Sequence, residues 1–240
     1  MIIYVVKEGD TLSSIAKNYD TTAEFLAKEN MINLSDNLVI GQTIVIPQNT
    51  KKIGTIATNG YLYTNIEEDL LRQTLPYLTF ATVFSYGFKE NGELIPANDE
   101  NVLNIIKEYD TKPIMLLSPL NENGNFDNQL ASKILNDVEI QNILIYNILK
   151  TLKEKDYFGL DIDFEFVLPQ DSMSFVSFIN NVTSSLNKQG YPVTVSLAPK
   201  TSSTQKGLLY EAHNYSAIGN IANAVLLMTY EWGYTLSHTR

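Results

Sequence analysis

The chain has 240 residues, 44% of them hydrophobic, so it can bury one large core or a large and a small one and is too apolar for extensive disorder. Its formal net charge of −10, from 27 acidic and 17 basic residues without a long Lys/Arg run, argues against nucleic acid as the main partner, because phosphate binding needs a basic patch. Cysteine is absent and the two histidines, His213 and His238, lie apart in sequence, which removes thiolate chemistry and disfavours a zinc site or a histidine-based triad.

The start, Met1-Ile2-Ile3-Tyr4-Val5-Val6-Lys7, lacks a basic leader and its apolar run is too short for a signal peptide. No stretch approaches the ~20 apolar residues of a membrane span, so the expectation is a protein without signal peptide or membrane insertion. Residues 2–6 are β-branched and aromatic and predict a strand. Asp10 can cap a helix on which Leu12, Ile15, Ala16 and Tyr19 share one face. Thr21-Thr22-Ala23-Glu24 offers a capping box for a second helix carrying Phe25 and Leu26. After Gly41-Gln42, the run Thr43–Ile46 predicts a strand stopped by Pro47, which completes a βααβ unit.

This unit resembles the LysM domain, through Tyr4-Val5-Val6-Lys7-Glu8-Gly9-Asp10-Thr11-Leu12-Ser13-Ser14-Ile15-Ala16, Asn30, and Leu38-Val39-Ile40-Gly41-Gln42-Thr43-Ile44-Val45-Ile46-Pro47. The resemblance implies binding to glycans containing N-acetylglucosamine, either peptidoglycan or chitin. It places the sugar between the loop with Gly9, Asp10 and Thr11 and the loop with Leu38, Val39 and Ile40. Turn chemistry and packing are the competing explanation for each of those residues. The polar joint Gln48-Asn49-Thr50-Lys51-Lys52 puts the domain boundary there, giving domains of residues 1–48 and 53–240.

From Ile53 onward, apolar runs alternate with amphipathic stretches. Strands are predicted at Ile53–Thr58, Leu78–Phe84, Pro113–Ser118, Gly159–Phe166, Val193–Ala198 and Ala224–Tyr230. Helices are predicted at Glu67–Thr74, Val102–Tyr109, Ile140–Lys153 and Asp171–Gln189. Such alternation points to a parallel α/β sheet, either barrel or doubly wound. No glycine-rich loop follows a strand, which disfavours dinucleotide binding. Polar and aromatic residues cluster at strand C-terminal ends instead (Ser85-Tyr86, Glu165, Tyr230-Glu231-Trp232), the edge where β/α barrels build active sites. Tyr61, Phe84, Ser85 and Tyr86 read mainly as barrel core or rim.

The chemistry concentrates in Tyr157-Phe158-Gly159-Leu160-Asp161-Ile162-Asp163-Phe164-Glu165-Phe166. Read as a strand, Asp161, Asp163 and Glu165 fall on one face, and Leu160, Ile162, Phe164 and Phe166 on the other. Aspartate is depleted in strands, and neighbouring carboxylates on a buried face each disfavour ionisation of the others. A solvated strand face or an oxygen-ligand cation site is one reading. A glycosidase acid with supporting carboxylates is the other, because such enzymes hold one carboxyl protonated beside others that stay ionised.

Phe158–Glu165 resembles the DGxDxDxE signature of glycoside hydrolase family 18, on the fourth strand of a (β/α)8 TIM barrel, and Leu227-Met228-Thr229-Tyr230-Glu231-Trp232 resembles its sixth-strand motif. Glu139-Ile140-Gln141, Leu197-Ala198-Pro199-Lys200-Thr201-Ser202 and Tyr210-Glu211-Ala212-His213 add a narrower likeness. With the LysM unit, these resemble the spore cortex-lytic N-acetylglucosaminidases of endospore-forming bacteria. The resemblance implies retaining, substrate-assisted hydrolysis of β-1,4 N-acetylglucosaminyl linkages in cortex peptidoglycan, at the spore cortex or coat, with no metal or organic cofactor. It implies Glu165 as general acid and base, Asp163 as the partner of the substrate's acetamido N–H, and Asp161 sharing a proton behind Asp163. Tyr230 would bond the acetamido oxygen, and Met228, Glu231 and Trp232 would line the sugar site. The signature's first acidic position is Phe158 here. About six strands are legible, and residues 53–240 fall short of the ~250 typical of a complete barrel, so an incomplete barrel is expected. A chitinase, or a non-catalytic peptidoglycan-binding spore protein, are the alternatives.

Overall fold

A computed structural model of the chain describes residues 1–48 and 54–230. Its contacts divide into two compact units, Met1–Ile56 and Ala57–Arg240.

In the first unit, β1 (Ile2–Val5) and β2 (Thr43–Ile46) pair antiparallel around α1 (Leu12–Asn18) and α2 (Ala23–Glu29). Leu12, Ile15, Ala16, Leu26, Ala27, Ile44 and Ile46 form its core with Val6, as the 3.6-residue and two-residue periods require. The caps differ from expectation. Thr11, not Asp10, caps α1, forming a reciprocal box with Ser14. Asp10 instead accepts hydrogen bonds from Lys7 N (2.8 Å) and the Tyr4 hydroxyl (2.7 Å), closing the turn around Gly9, whose φ of 83° suits glycine. Thr22 caps α2 through Phe25 N, so the expected box between Thr21 and Glu24 does not form.

The second unit is a curled, half-barrel sheet. Parallel strands run in the order β3 (Asn59–Tyr63), β4 (Phe80–Phe88), β6 (Lys112–Leu117), β7 (Gly159–Ile162), β8 (Val193–Leu197) and β9 (Ala224–Leu227), with β5 (Leu94–Ile95) antiparallel on β4. The helices between them are α3 (Glu68–Thr74), α4 (Glu100–Ile106), α5 (Asn128–Leu135), α6 (Val138–Lys155), α7 (Ser172–Asn187) and α8 (Tyr215–Gly219). Six strands of the expected TIM-barrel type are therefore present among the described residues. β5, α5 and α8 are additions to the sequence reading.

Every strand differs from it in at least one boundary, β6 and β8 by one residue and β4 by running Phe80–Phe88 rather than Leu78–Phe84. The first strand is Asn59–Tyr63, because residues 54–58 run outside the ladder that Asn59 enters opposite Phe80. β7 stops at Ile162 rather than Phe166, and β9 at Leu227 rather than Tyr230. Gly159 is required where β7 begins, since a Cβ there would lie 2.6 Å from the Pro192 carbonyl oxygen.

The main core lies between sheet and helices. Tyr86, expected at the core or the rim, is buried there and donates to Asp99 Oδ2 (2.6 Å). Tyr157 donates to the same oxygen (2.6 Å), and Lys155 pairs with the other carboxylate oxygen. Burial alone pushes the Asp99 carboxyl up, but the bonds from Lys155, Tyr157 and Tyr86 outweigh it and hold it below the usual carboxylate range. Among the described residues no helix is long and apolar enough to cross a membrane.

Candidate active site

Parallel strands all deliver their C-terminal ends to one edge of the sheet, and the acidic stretch leaves β7 at that edge. Ile162 and Phe164 are fully buried in the core while Asp161 and Asp163, buried at 1% and 6% exposure, point the other way. The expected alternation therefore holds through Glu165 although the ladder has ended. It fails at Phe166, which is 39% exposed with φ of 56°. That left-handed conformation is uncommon for a bulky residue and turns the chain out of the strand direction just after Glu165.

Phe164 is the anchor between the two acids. Its ring stacks on Phe88 (5.5 Å between centroids), Phe175 (5.8 Å) and Phe178 (5.4 Å). Burying such a ring is worth roughly 1.5–3 kcal/mol, with about 0.5–1.5 more per aromatic pair. Asp163 N still donates to Leu117 O (2.9 Å), extending β7 by one rung towards β6.

A cleft of about 170 Å³ opens above these residues, lined by Tyr61, Asp163, Glu165, Ser196, Met228 and Tyr230 together with Leu62, Tyr63 and Phe84. Tyr63 and Phe84 meet edge to face at 5.1 Å and 68°, making one wall. Glu165, Asp163, Tyr230 and Met228, which come from two separate stretches of sequence, thus meet in one place. Ser85 stands aside, its hydroxyl bonded to the Tyr86 carbonyl (3.3 Å). The candidates Glu231 and Trp232 lie outside the described residues.

The two aspartates have different surroundings. Asp161 Oδ2 accepts from the Tyr61 hydroxyl at 2.5 Å, and Ser196 Oγ lies 3.2 and 3.3 Å from the two carboxylate oxygens. Burial pushes the Asp161 carboxyl up to about 6, against those two hydroxyls, which favour its ionised form. Asp163 differs at one oxygen: among the described residues no group donates to its Oδ1. Burial first, and then the charges of Glu165 and Asp161, raise its carboxyl well above the ordinary range. The partners of Asp161 are thus Tyr61 and Ser196. Ser196 was not singled out by the sequence, although its signal was there: Thr194 and Ser196 are the polar alternate positions of an otherwise apolar strand. Among the described residues no group of three or more acidic or histidine side chains converges as a metal site would.

In the N-terminal unit, Gly9 and Thr11 are exposed, as is Ile40 at 67%, while Leu38 packs partly against that unit's own core. The Val6–Gly41 and Val6–Gln42 backbone bonds (both 2.8 Å) hold the start of β2 against the end of β1. The Gln42 side chain accepts from Val39 N (2.9 Å) and so shapes the second loop.

A parallel half-barrel with acidic residues at the C-terminal end of its fourth strand, preceded in sequence by a βααβ unit, describes a carbohydrate-active class. Family models agree: residues 59–239 match glycosyl hydrolases family 18 and residues 4–47 match the LysM domain. The chain belongs to glycosyl hydrolases family 18 and carries a LysM domain ahead of the hydrolase domain.

Among known proteins, it is 37% identical to the cortical fragment-lytic enzyme of Bacillus subtilis (strain 168), over 98% of this chain and 67% of that protein. The crystal structure of the Bacillus cereus spore cortex-lytic enzyme SleL matches with a TM-score of 0.72 and 37% identity, over 97% of this chain and 54% of that one. The Bacillus megaterium QM B1551 SleL structure matches with a TM-score of 0.73 and 34% identity, over 99% of this chain and 56% of that one. The chain therefore spans about two-thirds of its curated relative and little more than half of the solved chains.

Proposed function

We propose that this protein hydrolyses N-acetylglucosaminyl β-1,4 linkages in spore cortex peptidoglycan, by retaining, substrate-assisted catalysis at Glu165. The observation that carries the reading is the shared cleft of Glu165, Asp163 and Tyr230, in which Asp163 is buried and its Oδ1 receives no donor among the described residues. A buried carboxylate with an unused acceptor suits a substrate that brings a donor, and the 2-acetamido N–H is such a donor. Glu165 protonates the glycosidic oxygen as the bond to the anomeric carbon breaks. Asp163 accepts the acetamido N–H, turning the substrate's own carbonyl oxygen onto that carbon to form an oxazolinium ion. Tyr230 donates to that carbonyl oxygen and orients it. Glu165, now ionised, takes a proton from the water that reopens the ring, so the two steps restore the enzyme. Tyr61 and Ser196 steady the ionised form of Asp161 behind Asp163, and Glu231, Trp232 and Met228 complete the sugar site.

The LysM unit serves as the anchor, taking N-acetylglucosamine glycan between the loops of Gly9, Asp10 and Thr11 and of Leu38 and Ile40. Neutral amide-bearing sugar suits backbone groups and small apolar surfaces, so the acidic charge of the chain is no obstacle. A tether of this kind raises the local substrate concentration without any new catalytic contact. The names of the relatives support the spore cortex as the place of action.

The test is to incubate the protein with cortex muropeptides and, separately, with chitooligosaccharides, and to identify products by mass. Cleavage of muropeptides in preference is expected, with loss of cleavage in Glu165→Gln. Preferential cleavage of chitooligosaccharides would make it a chitinase, and cleavage of neither would leave a glycan-binding protein.

A further inference from the structure

We infer that His213 is a positioning residue for the catalytic strand end: its neutral imidazole is a side-chain rung joining the peptide between Asp163 and Glu165 to the end of β8. This deepens the reading of Glu165 as the acid and rests on it.

The hydrogen bonds decide the form of the ring. His213 is 1% exposed, with Nδ1 2.9 Å from Ala198 N and Nε2 3.1 Å from the Phe164 carbonyl oxygen. A backbone N–H can only donate and a carbonyl can only accept, so Nδ1 holds a lone pair and Nε2 holds the proton. One tautomer meets both demands. An imidazolium would set an N–H against the Ala198 N–H, and the other tautomer would fail at both ends.

The place of the rung is equally specific. The ladder between β7 and β8 ends at the pair Ile162–Val195. Beyond it the two chains carry on as Asp163-Phe164-Glu165 and as Ser196-Leu197-Ala198, without further ladder pairing. His213 bridges them where direct backbone bonding has stopped. The Phe175 ring lies against the imidazole at 5.9 Å and stacks on Phe164 as well, so residue 164 is held by its ring and by its carbonyl. Two residues on, Phe166 is in the left-handed region, a conformation that persists only where surrounding contacts determine it. His213 is not among the side chains lining the Asp163–Glu165 cleft, so its action reaches substrate through the backbone it holds at Phe164 and Ala198.

Kinetics and magnetic resonance on the full chain test this. In His213→Phe, kcat on muropeptides should fall about 10²-fold, the scale of a misplacement of about 1 Å, while KM changes less than about threefold. His213→Gln keeps a donor and an acceptor and should recover about tenfold of that loss. Should the Phe variant not fold, His213→Asn, too short to span both partners, takes its place with the same expected loss. A His238→Gln protein contains a single histidine, and its nitrogen-15 shifts should report the tautomer protonated on Nε2. A merely structural histidine would lower the melting temperature and leave kcat unchanged well below it. That result, or a ring protonated on Nδ1 or on both nitrogens, overturns the inference. Full activity in Glu165→Gln would instead remove the acid assignment, and the tautomer measurement would still decide whether the rung exists.

Discussion

Asn30 in the N-terminal unit donates to the carbonyls of Leu26 and Val45 (both 2.8 Å) and accepts from Val45 N (2.7 Å), pinning α2 to β2. Asp163 in the C-terminal unit sits deeper and has an oxygen to which no described group donates. The first unit uses its interior-facing polar side chain as a staple, whereas the second keeps one in reserve. A binding module needs only a rigid, correctly shaped surface. A catalytic site must hold groups whose best partner is the substrate on its way to reaction, and the fold bears that cost beforehand. Asp99 shows that the second unit can satisfy a buried carboxylate when no chemistry is asked of it, since Lys155, Tyr86 and Tyr157 surround it.

Four substitutions sharpen the contrast. Asp99→Ala strips the acceptor from a half-buried ammonium and two tyrosine hydroxyls, and should cost about 3–5 kcal/mol in denaturant unfolding. A loss below about 1 kcal/mol would mean that this network is idle. Asp163→Asn should leave stability intact or improved while slowing 2-acetamido substrates by about 10²–10³, as expected when a preorganised partner of the transition state is lost. An unchanged rate would contradict substrate assistance.

Asp161→Asn tests linkage. The folded carboxyl titrates at about 6, above its unfolded value, so the native state binds more protons and wild-type stability falls as pH rises from about 4 to about 6. Relative to wild type, the variant should gain stability through that window and level off above it, by roughly 3 kcal/mol. Melting curves at pH 4 and pH 7 with the same difference between the two proteins would refute this. Asn30→Ala is the mildest of the four, about 1–2 kcal/mol for partly exposed backbone partners, and should be visible as early melting of the N-terminal unit alone. Loss of melting cooperativity in both units would show that the contrast between them is drawn too sharply.

Much of this was legible from residue order, for identifiable reasons. The LysM helices follow from apolar spacing at Leu12, Ile15 and Ala16, and the three carboxylates declare themselves because nothing in strand packing favours them. The misplaced first strand has a tertiary cause. Ile53, Thr55, Ile56 and Thr58 have higher strand propensity than Asn59 and Gly60, yet the latter enter the ladder, with Gly60 leaving room for Leu78 where a Cβ would come within 2.8 Å. α5 carried its signal, an Asp127 cap and buried Leu130, Ala131, Ile134 and Leu135, but it is short and follows a polar stretch that reads as loop. Tyr61 and Asp161 lie 100 residues apart, and the His213 ring pairs with backbone atoms of Ala198 and Phe164, so neither pairing leaves a local pattern to read.

The close approach of Pro192 to Gly159 has a bearing on how damage to this site should be interpreted. Gly159 stands within the acidic motif, yet what it provides is clearance between neighbouring strands. An alanine there would push β7 and β8 apart at their entry, and the disturbance would travel along both to the edge where Asp163 and Ser196 line the cleft. Such a protein would lose turnover without a single reactive group having been altered, so the motif records two unrelated demands in one run of letters.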